Sequence, residues 1–250
     1  MSSVELLKVL EISKSFGGIK ALDNINLILK RHEILGLIGP NGSGKTTLVN
    51  IIAGFYKPEK GRIFFDGEDI TNIPPHLRVL KGIARTFQLT KPFLNLSVFD
   101  NVMVGALLKS KNLSEAREKT MRMLEILNIK NFSQRISVEL PTGIKKKIEI
   151  ARVLVMEPKV LLLDEALAGL SPREIDEILD LIVSIKNELG VSLILIEHII
   201  KAVIKVSDRI VVLSAGKVIA DDLPENIVRA PIVREAYLGK GFEYERDTET

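Results

Sequence analysis

The stretch Gly39-Pro40-Asn41-Gly42-Ser43-Gly44-Lys45-Thr46-Thr47 holds the densest chemistry in the chain. Its spacing, G-x-x-x-x-G-K-[ST], suits a loop that grips a nucleoside triphosphate. Glycines let the backbone curl so that successive N–H groups face phosphate oxygens. A helix starting directly after the loop adds its positive end. Lys45 is then placed to reach the β- and γ-phosphates, and the Thr46 hydroxyl to bind Mg²⁺. Without a ligand, the same residues would read as a glycine-rich strand-to-helix turn. Two apolar runs also end in polar groups. Val160-Leu161-Leu162-Leu163 closes on Asp164-Glu165, and Leu193-Ile194-Leu195-Ile196 closes on Glu197-His198. Carboxylates at the end of a parallel strand lie where α/β sheets bind ligands. Asp164 suits Mg²⁺, and Glu165 suits the polarisation of an attacking water. His198 is placed to hydrogen-bond a phosphate or that water. Gln88 follows Ala84-Arg85-Thr86-Phe87, where its amide would reach the metal or the water.

These groups need elements to hold them. Ile34–Ile38 is a short apolar run that predicts a buried parallel strand before the loop. Thr46–Ala53 is apolar at helical spacing and is stopped by Gly54. Upstream, residues 4–38 include alternating stretches that predict two or three antiparallel strands, and Gly61–Gly67 predicts another strand closed by a turn. Pro74-Pro75 opens a short helix carrying His76 and Arg78. Between Pro92 and Pro158 strand signals vanish. Helices are predicted over Val98–Leu108, Ser114–Leu127 and Ile144–Val155, with Ser114 as an N-cap. Strands return at Val160–Leu163, Val191–Ile196 and Ile210–Leu213, the last turning at Ala215-Gly216 into Lys217–Ala220 as a hairpin. Helices at Pro172–Asn187 and Ile199–Val206 separate them. Glu243–Thr250 reads as a frayed polar tail.

Composition narrows the field. At 250 residues and 46% hydrophobic, the chain has material for one large α/β domain with a subdomain. The formal net charge is only +3. Lys145-Lys146-Lys147 and Lys109-Ser110-Lys111 are short clusters that read as solvated helix faces, not as a nucleic-acid stripe. With no cysteine, disulfides, thiolate metal sites and cysteine nucleophiles are excluded. The first residues lack the basic start and apolar core of a signal peptide. No apolar run approaches the ~18–20 residues that span a bilayer. The chain is expected to be soluble, with any membrane role supplied by a partner.

Taken together, these motifs resemble the ATP-binding cassette ATPases, the engine subunits of membrane transporters. The resemblance covers nearly the whole chain in the family's motif order. It implies a P-loop NTPase (RecA-like) core with an antiparallel β-subdomain and an inserted helical subdomain. The division expected is 4–91 and 159–240 for the core and β-subdomain, 92–158 for the helical insert, and 241–250 for the tail. Phe16, in Lys14-Ser15-Phe16-Gly17, falls where the family stacks an aromatic on adenine. Gln88 falls at the Q-loop, Val160–Glu165 at the Walker B strand, Ala168–Ser171 at the D-loop and His198 at the H-loop. The family's signature, Leu-Ser-Gly-Gly-Gln, matches Leu140-Pro141-Thr142-Gly143-Ile144. Gly143 is kept, but Pro141 lacks the serine hydroxyl and Ile144 lacks the glutamine amide. Ala166 stands where proline is usual, and Ser171 where aspartate is usual. By the resemblance, Gly143 binds the γ-phosphate of ATP held by a second, head-to-tail ATPase subunit. Two such subunits would drive transmembrane permease subunits from the cytoplasmic face of the membrane, with an extracellular solute-binding protein and no nucleic acid. Ile83–Gln88, Leu96–Val102, Leu195–His198 and Ala236–Gly239 are similar to the branched-chain amino-acid importer ATPases. Urea-type and lipopolysaccharide-export ATPases share parts of this pattern. Two rivals stay open. One is a cassette ATPase acting on nucleic acid or ribosomes, although such proteins usually carry tandem cassettes or a coiled-coil insertion. The other is a regulatory ATP switch with weak hydrolysis.

Overall fold

The computed structural model describes residues 5–86 and 92–238. Two sheets organise it. The first is antiparallel, in the order β2-β1-β4-β5, from β1 (Glu5–Phe16), β2 (Ile19–Lys30), β4 (Lys60–Phe65) and the short β5 (Glu68–Asp69). The second runs β10-β9-β3-β8-β7-β6. It contains β3 (Ile34–Ile38), β6 (Ile83–Arg85), β7 (Val160–Asp164), β8 (Ser192–Ile196), β9 (Arg209–Ser214) and β10 (Lys217–Asp222). All its neighbours pair in parallel except the β9–β10 hairpin. Two antiparallel strands, β1 and β2, therefore precede Ile34–Ile38, which forms the buried parallel strand expected before the loop.

The apolar runs of β3, β7 and β8 follow from burial on both faces. Every residue of these strands is buried. Successive side chains point to opposite faces. Leu161, Leu163, Leu193 and Leu195 pack into the helical layer, while Val160, Leu162, Ile194 and Ile196 pack toward α1 (Lys45–Ile52) and the antiparallel sheet. At ~1.5–3 kcal/mol per buried large aliphatic side chain, this double-faced core fixes the level at which the strands end.

The helical layer contains α3 (Val98–Leu107), α4 (Leu113–Ile126), α5 (Thr142–Leu154), α6 (Pro172–Leu189) and α7 (Ile200–Val206). A short α2 (Pro75–Lys81) precedes β6, and α8 (Pro224–Arg229) and α9 (Pro231–Leu238), not anticipated from sequence, close the described chain. The predicted cap of α4 is corrected. The helix begins one residue earlier, and Asn112, extended at φ −154°, accepts the Glu115 N–H at 2.9 Å. Asn is at least as good a cap as Ser, so Ser114 is left inside the first turn. Arg78 is a structural anchor. It is 1% exposed and donates to the carbonyls of Ile51, Ile52, Ile70, Thr71 and Ile73. It thereby adds a donor to Ile51 and Ile52, two carbonyls of the last turn of α1, which have no partner within the helix.

Candidate nucleotide site

The strand order brings the chemical residues together. β8 lies between β3 and β7, and Ile196 pairs with Leu37 on one side and Asp164 on the other. One row across the sheet thus sets the start of the glycine loop, Glu197-His198 and Asp164-Glu165 at the same edge. A cleft of about 240 Å³ opens there, lined by Asn41, Gly42, Ser43, Gly44, Lys45, Thr46 and Thr47 together with Glu165 and His198. Asp164 lies just beneath, 2% exposed.

The loop needs its glycines. Gly44 is left-handed at φ 106°, and a β-carbon there would meet the Ala21 carbonyl at 2.6 Å. At Gly39, φ 154°, it would meet the Leu213 carbonyl at 2.1 Å. Lys45, only 6% exposed, folds back and donates to the Gly39 and Pro40 carbonyls at 2.7 and 3.0 Å. Burial lowers its pKa, while the charges of Glu165 and Asp164 oppose that shift.

Glu165 Oε1 lies 2.9 Å from His198 Nε2. A carboxylate only accepts, so the ring proton in this contact sits on Nε2. Glu165 itself is left-handed at φ 53°. Asp164 Oδ2 accepts from Arg85 at 2.7 Å, with both side chains buried, and Arg85 also bonds Asn50 on α1. The other Asp164 oxygen and the Ser43 hydroxyl are buried without a hydrogen-bond partner among the described residues. Buried orphan oxygens are costly, and two of them beside the loop fit a polar occupant. Among the described residues, no cluster of three or more His, Asp or Glu could hold a metal. A cation here would need hydroxyls, water and substrate phosphates, which suits Mg²⁺.

The remaining expected residues fall elsewhere. Phe16 is not a core phenylalanine. It is 43% exposed at the end of β1, edge-on to Tyr56 at 5.3 Å between ring centroids, with Lys14 over its face. Tyr56 carried no motif and was missed. Gln88 lies outside the described residues. Gly143 sits at the start of α5, away from the cleft, and its N–H donates to Glu174 Oε1 at 3.1 Å. Glu174 also completes a capping box with Ser171 at the head of α6. The Ser171 backbone and hydroxyl, then the Gly143 N–H, hold its carboxyl below the usual range. Sequence reasoning gave no role to Arg85 and Glu197, which hold Asp164 and Leu167 beside the cleft, or to Glu174, which holds Gly143.

Residues 22–168 match the family model described as ABC transporter. The chain belongs to the ATP-binding cassette family. It is the ATP-binding, ATP-hydrolysing subunit of a transporter. The high-affinity branched-chain amino acid transport ATP-binding protein of Pseudomonas aeruginosa is 37% identical over 94% of this chain and 98% of its own. The lipopolysaccharide export system ATP-binding protein of Haemophilus influenzae is 33% identical over 96% and 100%. Among solved structures, the ADP conformation of an ABC transporter cassette superposes with a TM-score of 0.87 at 32% identity, covering 95% of this chain and all of that one. A dimeric post-hydrolysis cassette bound to ADP and Pi gives 0.77 at 26% identity, covering 88% and 99%. In this cassette the glycine loop, Asp164-Glu165 and His198 are gathered at one sheet edge, while Gly143 stands apart on α5. Among the described residues no helix is long and apolar enough to cross a membrane.

Proposed function

We propose that this cassette hydrolyses ATP with Glu165 orienting the attacking water, and that it powers uptake of branched-chain amino acids through separate permease subunits. The observation that carries the catalytic part is Glu165, held in the loop-lined cleft and bonded to His198. The phosphates enter the glycine loop, and Lys45 exchanges the Gly39 and Pro40 carbonyls for β- and γ-oxygens. Phe16 stacks on the base. Thr46, Gln88 and Asp164 would hold Mg²⁺, which when bound would neutralise phosphate charge. Glu165 draws a proton from water as its oxygen attacks the γ-phosphorus in line. The bond to the β-γ bridging oxygen breaks, and ADP and phosphate leave. His198 steadies Glu165 and reaches the γ-phosphate. Replacing Glu165 with Gln should stop turnover while ATP still binds.

Two copies close head to tail, so that Gly143 of one faces the γ-phosphate held by the other. The dimeric relative bound to ADP and Pi supports this arrangement. We take residues 92–158 as the moving helical subdomain on the core of 4–91 and 159–240. Between them opens an apolar groove of about 530 Å³, lined among others by Phe55, Val79, Phe93, Val104, Leu108 and Met156. Its position supports this groove as the permease contact, through which closure becomes transport. A permease contact places the chain at the cytoplasmic face of the membrane. The solute assignment, and with it an extracellular binding protein, rests on the branched-chain relatives. The lipopolysaccharide-export relative defines the competing cargo. Co-purification of the membrane partner, followed by uptake of labelled leucine into vesicles, separates them. Against the rival reading, Lys146 and Lys147 of the basic cluster on α5 pair with Glu149 and Glu177.

A further inference from the structure

The turn after β7 adopts a backbone that its residues do not favour. Glu165, at φ 53°, pays the left-handed penalty of ~1–2 kcal/mol for a residue with a β-carbon. Such strain survives only where the surroundings over-determine it. Ala166 and Leu167 are apolar and buried, so neither offers a polar side chain to hold the turn. The restraint comes from β8. The Glu165 N–H donates to the Ile196 carbonyl at 2.9 Å, and the Leu167 N–H donates to Glu197 Oε1 at 2.8 Å. The strained residue and Leu167, two positions on, are therefore fastened to the end of β8 and to the residue that follows it.

We propose that Glu197 is a positioning residue for hydrolysis, its carboxylate clamping the turn after β7 so that Glu165 stays against His198 and facing the cleft. Glu197 is 2% exposed and does not line the cleft, so it acts through Glu165. Its presence in the core is costly, since a buried carboxyl must be compensated. Burial pushes its pKa up to about 7, against the Leu167 N–H. The Glu165 charge adds to the rise, while Lys146 of α5 and the His198 N–H oppose it. A leucine would fill that space at lower cost but could not accept an N–H. Without the clamp the turn relaxes toward ordinary backbone and Glu165 moves. A displacement near 1 Å costs on the order of 100-fold in rate.

The inference rests on Glu165 as the water-orienting residue, so Glu165→Gln is measured in the same series on the full chain, by steady-state ATPase assay and nucleotide titration. Glu197→Gln keeps an acceptor oxygen and is expected to retain kcat within about threefold. Glu197→Asp keeps the charge but falls short of Leu167, and Glu197→Leu removes the acceptor. Each is expected to lose roughly ten- to a hundredfold in kcat with KM for ATP unchanged. If the Leu variant does not fold, the comparison of Asp with Gln decides. Wild-type kcat in the Asp or Leu variant, a Gln variant as slow as Asp, or a loss carried by KM would overturn the clamp. A fully active Glu165→Gln would instead overturn the reading of the site on which it depends.

Discussion

Lys45 is buried, donates to two loop carbonyls and faces two acids. Each partner is something a phosphate can replace or strengthen. Charged hydrogen bonds are worth ~1.5–3 kcal/mol. Lys45→Ala is therefore expected to weaken ATP binding by roughly ten- to a hundredfold in calorimetry, and unchanged affinity would refute its role. Glu197 makes a second expectation. Its folded pKa of about 7 lies above its unfolded value of 4.5. The folded state thus prefers the protonated form. The stability this contributes is complete below pH 4.5 and is lost as pH rises toward and through 7. The melting temperature should fall between pH 5 and 8, and Glu197→Gln should flatten that slope. Lys45, Asp164, Glu165 and His198 were legible in sequence because each punctuates an apolar run or a glycine loop. Arg85, Glu174 and Glu197 were not. Their meaning lies in partners far along the chain, such as Asp164, Gly143 and Leu167, and no local spacing encodes such pairs.

Among the elements, α5 is the unusual one. Pro141 caps it with no side-chain hydrogen bond. An N-cap serine contributes ~0.5–2 kcal/mol, and a protein of this size gains ~2–4 °C per kcal/mol. Pro141→Ser should therefore raise the melting temperature by a few degrees, and no rise would mean that the helix start is already satisfied. The Gly143 N–H, the group proposed above to meet a partner's γ-phosphate, is spent on Glu174 in the single chain. Glu174→Ala should lower the ATP concentration at which dimers appear on a sizing column. No change would separate Gly143 from dimerisation. Strand and helix types were legible from the two periods, 2 and 3.6 residues. The α4 cap was misassigned because Asn112 and Ser114 are both capping residues, and only the extended backbone at Asn112 distinguishes them.

At the scale of the molecule, the doubly covered sheet does most of the work. The alternation of core-facing residues in β3, β7 and β8 sets their register, and the register delivers the loop, the acids and the histidine to one edge. The α/β class and the cassette architecture were legible because the strand ends carry the motifs. The groove between helices and core was not, because its lining is drawn from α2, α3, α5, β6 and the stretch after α1, and only folding assembles it. Rigid-body closure across that groove would convert hydrolysis to transport. We propose that Glu165, directly after β7, turns water against bound ATP. Glu165→Gln, assayed for phosphate release and for ATP retained on a sizing column, tests it most directly. The expected result is loss of turnover with ATP still bound and dimers accumulating, whereas wild-type phosphate release from that variant would contradict it.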